Sequence, residues 1–416
     1  MNLPSARGDE ALHQTERQNA NYASTQPLTM NETPASVSES TFAASASTSM
    51  SASASASASA SASALVSAPV PRRALITGIT GQDGAYLSHF LLRRGYQVSG
   101  LMRPKRRRED RASHDAHIEY SNLAELGIVD RIEKFEGNLG DKNSLRDALA
   151  QAAPDEVYHL AAQSSVGESL HAPSLTAQVT GMGASNILEA WREECPHARF
   201  FMASSSEIFG SPRETPQRET TSFAPRNPYG AAKLFAHSLA GAYREAYGLH
   251  VSCGILFNHE SPLRHERFVT RKVTRGVARI KLGLQTELQL GDLSVERDWG
   301  FAGDYVAAMW MMLQNDAPDD YVLATGRAHV LQEWVEKAFA SVDLDWRDWV
   351  QTDQKLMRSV EIAAFVGDAS KASTRLGWKP RVDFDRLVRL MVEADMAREQ
   401  GRHDEVAYFW EKEKAQ

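Results

Sequence analysis

The chain has 416 residues, of which 46 are Lys or Arg and 53 are Asp or Glu, so its formal net charge is -7. This length allows a large core and more than one domain, and the charge gives no support to a nucleic-acid-binding protein. Two cysteines, Cys195 and Cys253, are too few for a disulfide framework. The sequence has neither the apolar core of a secretion signal nor an apolar stretch of ~18 residues, so we expect a cytoplasmic protein.

Residues 1–69 are poor in large apolar side chains and include the run "SASASASASASASA". Such a composition cannot bury enough surface to offset the entropy of ordering the chain. We therefore predict a disordered tail that is dispensable for catalysis. A targeting or tethering role is the alternative, although the tail contains nothing that resembles an address signal.

A strand, a helix and a second strand follow the tail, at "RALITGI", "YLSHFLLRRG" and "YQVSGLMR". Further strand-like runs are "IEKFEG", "EVYHLAA", "RFFMASS" and "VSCGILF", with helical segments such as "SLRDALAQA" and "GASNILEAWREE" among them. This alternation predicts an α/β protein whose Rossmann-type, doubly wound parallel sheet occupies residues 70–258.

The regular alternation fades from about residue 259, where Pro, Arg and Trp gather in "NHESPLRHERFVTRK" and "GDLSVERDWGFAGDYVAAMWMML". We predict that residues 259–416 form most of a smaller, substrate-binding lobe. We expect this lobe to be partly interleaved with the sheet domain.

Three glycines, Gly78, Gly81 and Gly84, lie between the first strand and the first helix, in "TGITGQDG". Glycines in this context let the chain turn tightly and bring backbone N–H groups up to a pyrophosphate at the helix N-terminus. The strand before them and the helix after them favour a dinucleotide site over a purely structural turn.

The residue at the end of the second strand selects the nucleotide. An acid there binds the ribose 2′-hydroxyl of NAD, whereas a basic residue accommodates the 2′-phosphate of NADP. Arg103 stands at this point, so we expect NADP; the following residues 106–108, all Arg, either assist it or form a solvated loop. Asn138 follows the third strand and offers its carbonyl oxygen as an acceptor for the adenine amino group.

Tyr229 and Lys233 are four residues apart in "NPYGAAK", which places them on one face of a helix whose first turn suits Pro228. A free tyrosine is a poor base at neutral pH, and a nearby cation favours its phenolate form. Ser205 follows the strand "RFFMAS" and can hydrogen-bond a substrate oxygen. These three residues predict hydride transfer at a secondary alcohol, with Tyr229 removing the hydroxyl proton.

Glu207 lies two residues beyond Ser205 and would share its side if the strand geometry persists. A simple dehydrogenase does not need this carboxylate. It suits a second task, which is to take the proton α to a new ketone and help a β-hydroxyl leave as water. The residues therefore indicate a dehydratase without net cofactor consumption; an exposed or capping Glu is the alternative.

The chain resembles the GDP-mannose 4,6-dehydratase family of extended short-chain dehydrogenases over about residues 72–398. The resemblance rests on "TGITGQDGAYL", "ASSSEIFG", "RNPYGAAKLFA", "GILFNHESP", "FVTRKV" and "RDWGFAGDYVAAMWMMLQND". It implies conversion of GDP-D-mannose to GDP-4-keto-6-deoxy-D-mannose with NADP. In that scheme Tyr229, activated by Lys233, deprotonates the C4 hydroxyl, and Glu207 removes the C5 proton and assists loss of the C6 hydroxyl.

The resemblance also implies residue roles at matching positions. Further cofactor contacts would be Thr80, Gln82, Asp83, Leu139, Leu160, Ala161, Ala162, Ser164 and His259, beside Tyr229 and Lys233. Contacts to the GDP-sugar would be Asn258, Val269, Lys272, Arg297 and Arg358. Three cations in that set suit a diphosphate, since Arg makes bidentate contacts to phosphate oxygens.

The chain departs from the family pattern at three of these motifs. Ser205 replaces the usual Thr and keeps the hydroxyl, Ser165 stands where His is usual, and Ser359 replaces Pro. The segment between "ATG" and "MRSVE" is also shorter than in many relatives. We expect retained chemistry with altered substrate contacts.

Two other functions remain open at this point. A GDP-4-keto-6-deoxymannose reductase or another nucleotide-sugar epimerase of this fold needs Ser205, Tyr229 and Lys233 but not Glu207. A silent NADP-binding scaffold would be expected to lack Tyr229 or Lys233, and both are present. We predict no metal. The resemblance implies a homo-oligomer, dimer or tetramer, which would use helices such as "LFAHSLAGAYREAYG".

Overall fold

The computed structural model describes residues 70–103, 121–356 and 365–402. The predicted tail, residues 106–108 and Arg358 lie outside the described residues. The strands are β1 Arg73–Thr77, β2 Gln97–Met102, β3 Ile132–Glu136, β4 Glu156–His159, β5 Arg199–Ala203, β6 Val251–Leu256, β7 Asn258–Glu260, β8 Leu288–Leu290, β9 Glu296–Arg297, β10 Trp299–Phe301, β11 Asp320–Leu323, β12 His329–Val330 and β13 Val350–Thr352.

The helices alternate with the strands along most of the chain. They are α1 Gln82–Leu92, α2 Ser121–Glu125, α3 Lys142–Ala152, α4 Val166–His171, α5 Pro173–Thr176, α6 Gly183–Glu194, α7 Pro228–Tyr247, α8 Val269–Lys281, α9 Ala302–Gln314, α10 Leu331–Ala340, α11 Ser370–Leu376 and α12 Phe384–Glu399. A π-helical segment, Ala177–Met182, joins α5 to α6, and a 3-10 turn spans Ser206–Ile208. Within the described ranges, no helix is long and apolar enough to cross a bilayer.

Seven strands form the central sheet in the order β11-β6-β5-β4-β1-β2-β3. Every neighbouring pair in this sheet is parallel. The prediction of a doubly wound parallel sheet is therefore confirmed, and all six strands predicted from the sequence belong to it. The seventh, β11, lies beyond residue 259 and pairs with β6, so the C-terminal part of the chain returns to the sheet.

Both faces of the sheet are covered, as is usual for parallel sheets. Successive residues of β1 point to opposite faces, so Ile76 packs in the core beneath α1 and α9, while Leu75 packs beneath α3 and α6. Tyr158 and Val157 divide in the same way on β4. The described residues belong to one structural unit, Ala68–Gln416, and a lobe boundary near residue 259 stays a prediction.

Strand order reverses direction at β1, because the chain first runs outward through β2 and β3 and then crosses to β4 on the other side of β1. In open α/β sheets, ligands bind outside the carboxyl ends of the strands at such a switch point. Three two-stranded sheets, β10-β7, β12-β9 and β13-β8, follow in the C-terminal part of the chain. They place residues from that part above the same edge of the sheet.

Candidate active site

A cavity of about 380 Å³ lies at the carboxyl ends of β4, β5 and β6. Its lining includes thirteen of the residues predicted from the sequence, from both sides of residue 259. They are Asp83, Leu160, Ala162, Ser164, Ser205, Glu207, Tyr229, Lys233, Asn258, His259, Val269, Lys272 and Arg297. The candidate catalytic, cofactor and substrate residues are thus brought to one place.

Other predicted residues do not line this cavity. Arg103 is exposed at the end of β2, and Asn138 is exposed after β3, where its Oδ1 accepts from the Gly140 N–H at 2.9 Å. The remainder, near the β1–α1 turn or the ends of β3 and β4, are Gly78, Thr80, Gly81, Gln82, Gly84, Leu139 and Ala161.

The turn between β1 and α1 and the first turn of α1 leave no room for a side chain at Gly78 or Gly84. Gly78 has a φ of +73°, and a Cβ there would lie 2.8 Å from the backbone nitrogen of Ala161. A Cβ at Gly84 would lie 2.5 Å from the carbonyl oxygen of Gly78 and 2.5 Å from the Cα of Ile79. Only glycine permits these approaches, which keep the start of α1 against β1 and β4.

Gln82 and Asp83 connect this turn to β7. The amide of Gln82 accepts from the Ser261 hydroxyl at 2.7 Å and donates to the His259 carbonyl at 3.1 Å. The side chain of Gln82 is therefore committed to the protein, and only its backbone remains for the predicted cofactor contact. The motifs "GQDG" and "NHESP" thus interlock in space.

His259 lies between two acceptors, the Phe257 carbonyl at 2.7 Å from Nδ1 and the Asp83 carboxylate at 3.0 Å from Nε2. Neither a carbonyl nor an ionised carboxylate can donate, so this geometry favours the form of His259 with a proton on each ring nitrogen. Burial opposes this charge, yet the Asp83 carboxylate raises the pKa of His259 above its ordinary value. Burial likewise opposes ionisation of Asp83, but His259 holds the pKa of Asp83 below its ordinary value.

Helix α7 carries Tyr229 and Lys233 on its cavity face, as the four-residue spacing predicts. The helix begins at Pro228, and Asn227 is its N-cap, so the local sequence determines where the face starts. Lys233 donates from Nζ to the Ala203 carbonyl at 2.7 Å and lies 5.9 Å from the centre of the Tyr229 ring. This bond ties α7 to the end of β5.

The electrostatics differ from the expected tuning of Tyr229 by a neighbouring cation. Burial raises the pKa of Tyr229 to about 12, although a hydrogen bond to Ser205 opposes the shift. Burial lowers the pKa of Lys233 to about 8, with Asp83 opposing. The ammonium group of Lys233 donates its hydrogen bond to the Ala203 carbonyl oxygen. Desolvation is therefore the dominant influence on the pKa of Tyr229.

Ser205 and Glu207 both line the cavity, but not through a continued strand. Strand β5 ends at Ala203, and a 3-10 turn over Ser206–Ile208 follows, so the assumption that strand geometry persists is wrong. Ser205 caps this turn, accepting from the Glu207 N–H at 3.3 Å. The turn, rather than the pleat, presents the carboxylate to the cavity.

Asn227 and Arg264 are among the residues of this region that sequence reasoning missed. Asn227 donates to the Glu207 carboxylate at 2.7 Å, and only its position before Pro228 signalled a cap. Arg264 lines the cavity, with its guanidinium 3.6 Å from the centre of the Phe268 ring. "NHESPLR" contains Arg264, yet nothing in its spacing indicates which way the side chain turns.

The serine that replaces the family's histidine has a local role. Ser165 caps α4 by accepting from the Glu168 N–H at 3.2 Å, and it lines the cavity. A second serine of the lining, Ser204, is buried and has no hydrogen-bond partner for its hydroxyl among the described residues. This hydroxyl therefore remains to bind a polar ligand.

One cluster of metal-ligating types lies outside the cavity. Ligand atoms of His237, Cys253 and Asp320 lie within 4.8 Å of one another. Arg244 already forms an ion pair with Asp320 there. Because a guanidinium occupies the carboxylate, the cluster does not alter the prediction of no metal.

Comparison with known proteins identifies the relatives of this chain. Residues 75–391 match the model of the family described as GDP-mannose 4,6 dehydratase. "GDP-mannose 4,6 dehydratase 1" of Arabidopsis thaliana is 49% identical over 331 residues, covering 78% of this chain and 90% of that protein. The human "GDP-mannose 4,6 dehydratase" is 44% identical over 343 residues, with 78% and 91% covered.

Two solved structures share the fold at lower identity. One is "RMD from Pseudomonas aeruginosa complexed with NADPH", 25% identical with a TM-score of 0.64, covering 79% of this chain and 98% of that one. The other is UDP-glucose 4-epimerase from Thermus thermophilus in complex with NAD, 25% identical with a TM-score of 0.65, covering 78% and 98%. With the family match spanning the sheet, α7 and the cavity, the chain belongs to the GDP-mannose 4,6-dehydratase family.

Proposed function

We propose that this protein converts GDP-D-mannose to GDP-4-keto-6-deoxy-D-mannose and water, using a nicotinamide cofactor. One observation carries the proposal: the hydroxyls of Ser205 and Tyr229 line the same cavity as the carboxylate of Glu207. A plain dehydrogenase needs only the hydroxyls. Adding a carboxylate supplies the base for elimination, which is what the family name describes.

Each side chain has one task in this proposal. Tyr229 accepts the proton of the C4 hydroxyl, while Ser205 hydrogen-bonds the oxygen that becomes the ketone. Glu207 takes the proton from C5, made acidic by that ketone, and returns it to the C6 hydroxyl as this leaves as water. Lys233, bonded to the Ala203 carbonyl, holds α7 and therefore Tyr229 in place.

The turn at Gly78 and Gly84, which has no room for a Cβ, fits a dinucleotide cofactor. So does the Ser204 hydroxyl, which has no hydrogen-bond partner among the described residues. A bound oxidised nicotinamide would supply the hydride acceptor for C4 and return that hydride to C6, while C5 takes up a solvent-exchangeable proton from Tyr229, so that no reductant is consumed. The cofactor contacts assigned from the sequence are part of this proposal. We propose NADP over NAD, because Arg103 stands where an acid would otherwise meet the ribose 2′-hydroxyl.

For the substrate, we propose that Lys272 and Arg297 bind the diphosphate, with Asn258 and Val269 beside the nucleotide sugar. All four line the cavity, and phosphate oxygens favour such cations. Arg358 completes the predicted set but lies outside the described residues.

We also propose a homo-oligomer in the cytoplasm. Exposed large apolar side chains on α4, α5, the π-helical segment and α7 include Leu170, Leu175, Met182 and Phe235. These elements pack against one another, so their exposed residues offer a face for a second copy. Both cysteines are free and buried, which suits a reducing compartment.

The test is turnover of GDP-mannose with a trace of NADP in deuterated water, followed by mass spectrometry and proton NMR. We expect loss of one water, deuterium at C5 and no accumulation of NADPH. Repeating the assay with NAD tests the cofactor assignment. Unchanged GDP-mannose, from protein shown to bind NADP, would overturn the proposal.

The variant Glu207→Gln separates the two halves of the reaction. We expect oxidation at C4 to survive and dehydration to fall by about 10²-fold or more, since it loses a general base. Glu193→Gln, a change on α6 outside the cavity lining, is the matched control and should turn over like the parent. Release of the 6-deoxy product by Glu207→Gln at the parental rate would refute the role of Glu207.

A further inference from the structure

One amide group serves two elements of the active site. The Gly230 N–H donates to Oδ1 of Asn227 at 2.8 Å, which caps α7. A backbone N–H can only donate, so this oxygen is assigned and the opposite end of the amide is the NH₂ group. That NH₂ group lies 2.7 Å from Oε2 of Glu207, an acceptor of matching polarity.

The turn that carries Glu207 is docked directly on the same helix. A Cβ at Gly230 would lie 2.5 Å from the carbonyl oxygen of Glu207, so the two backbones are in contact. The Ser205 hydroxyl accepts from the Glu207 N–H. These contacts hold the backbone, but neither constrains the carboxylate.

Among residues 70–103, 121–356 and 365–402, Asn227 makes the only hydrogen bond to the carboxylate of Glu207. Without it, the side chain could rotate about its χ angles while the turn stayed in place. Asn227 is also two residues before Tyr229 on the same helix start. Asn227 therefore fixes the Glu207 carboxylate relative to the helix that carries the Tyr229 phenol.

We propose that Asn227 is a positioning residue for the elimination step, holding the Glu207 carboxylate at the distance from Tyr229 that proton removal from C5 requires. The inference rests on the proposed dehydratase function and assigns to that site a residue outside the Ser, Glu, Tyr and Lys set. Asn227 does not itself touch the reacting atoms. Its effect on the reaction is exerted through Glu207.

The variant Asn227→Asp separates this role from helix capping. Aspartate caps helices as well as asparagine does, so α7 keeps its start. The group facing Glu207 changes from a donor to a carboxylate oxygen, and two carboxylates at this distance resist being charged together. We expect deuterium incorporation at C5 to fall at least tenfold at neutral pH, with the acidic limb of its pH profile moved to higher pH.

Two further readouts complete the experiment. The transient reduced-nicotinamide signal of C4 oxidation, in a single turnover with GDP-mannose and NADP, should stay within a few-fold of the parent. The thermal unfolding midpoint should also stay close to the parent value. Asp383→Asn makes the reverse exchange at the N-cap of α12, which does not line the cavity. It should leave C5 exchange, C4 oxidation and the unfolding midpoint unchanged.

Three outcomes would overturn the inference. A parental C5 exchange rate and pH profile in Asn227→Asp would show that the contact is dispensable. Equal loss of oxidation and exchange together with a lower unfolding midpoint would show a structural cap only. Failure of the parent protein itself to dehydrate GDP-mannose would refute the proposed function, and this inference with it.

Discussion

Two parts of the candidate site, named the glycine wall and the polar wall, are held in place by opposite means. The glycine wall, residues 78–84 and 160–164, is positioned by close packing of its backbone atoms. A Cβ at Gly78 would lie only 2.8 Å from the backbone nitrogen of Ala161. The polar wall, residues 203–207 and 227–233, is positioned by side-chain hydrogen bonds. Lys233 donates to the Ala203 carbonyl and Asn227 donates to the Glu207 carboxylate, each at 2.7 Å. The first wall excludes side chains at its glycines, and the second depends on side chains for its position.

This difference implies different consequences of mutation. A change in the polar wall removes a single chemical group while the backbone stays, so one reaction step should fail and the fold should survive. A change at Gly78 or Gly84 in the glycine wall must move the backbone, so stability and cofactor affinity should decline together. Substitutions of a backbone-packed glycine, of a side chain in the polar wall, and of a charge that acts from one wall on the other test the contrast.

The largest effect is expected for Tyr229→Phe, in the polar wall. Removing the proton acceptor should lower kcat by about 10³-fold, and deuterium incorporation at C5 should vanish as well, because C5 is acidic only beside a C4 ketone. The unfolding midpoint should change little. Tyr243→Phe is the control on the same helix, since its hydroxyl donates to Glu189 at 2.5 Å, outside the cavity lining. C5 exchange that persisted in Tyr229→Phe would contradict the assigned order of steps.

Much of the fold was predictable, because most strands of the sheet are short apolar runs in the sequence. Every strand of the sheet before residue 259 was identified in this way, and the parallel arrangement follows from the intervening helices. β11 was missed because "DYVL" follows a stretch without regular alternation of helices and strands. Its place beside β6 is decided by long-range pairing.

The site was predictable where local spacing governs geometry. Tyr229 and Lys233 share a face because helices repeat every 3.6 residues. Glu207 was expected in the cavity for the wrong geometric reason, since the strand had already ended at Ala203. The contact of Asn227 with Glu207 spans 20 residues, and no local pattern encodes how a turn docks on a helix.

In the glycine wall, Gly84→Ala is expected to lower both stability and cofactor affinity. An alanine at Gly84 would place its Cβ 2.5 Å from the Gly78 oxygen, so the backbone must shift. Overpacking of this kind costs about 1–3 kcal/mol of unfolding free energy, and we expect NADP affinity to fall at least tenfold with it. Gly241→Ala is the matched control, because a Cβ there meets nothing within 4 Å. In mid-helix this change should stabilise by about 1 kcal/mol. A stable Gly84→Ala protein with parental affinity would remove the distinction between the walls.

The smallest effect is expected for Asp83→Asn, since Asp83 lies in the glycine wall and acts on the polar wall only through its charge. Burial lowers the pKa of Lys233 to about 8, and Asp83 opposes that shift. Lys233 therefore loses its charge as the pH rises through about 8, and activity should decline there. Without the Asp83 carboxylate, the pKa of Lys233 falls further, and the alkaline limb of the kcat profile should move to lower pH. We expect a loss of a few-fold near pH ~8.

Stability provides an independent measure of the same charge. The pKa of His259 is raised in the folded protein, where burial opposes its charge and Asp83 more than offsets that effect. A raised pKa contributes stability that is fully present below the unfolded value of about 6.5 and is lost as the pH rises through the folded value. The parent should thus lose more unfolding free energy than Asp83→Asn between about pH 6 and about pH 9, while Asp147→Asn, an exposed change on α3, should follow the parent. Identical pH dependence in parent and Asp83→Asn would mean that the two walls are joined by packing alone, and that the charge on Asp83 has no part in connecting them.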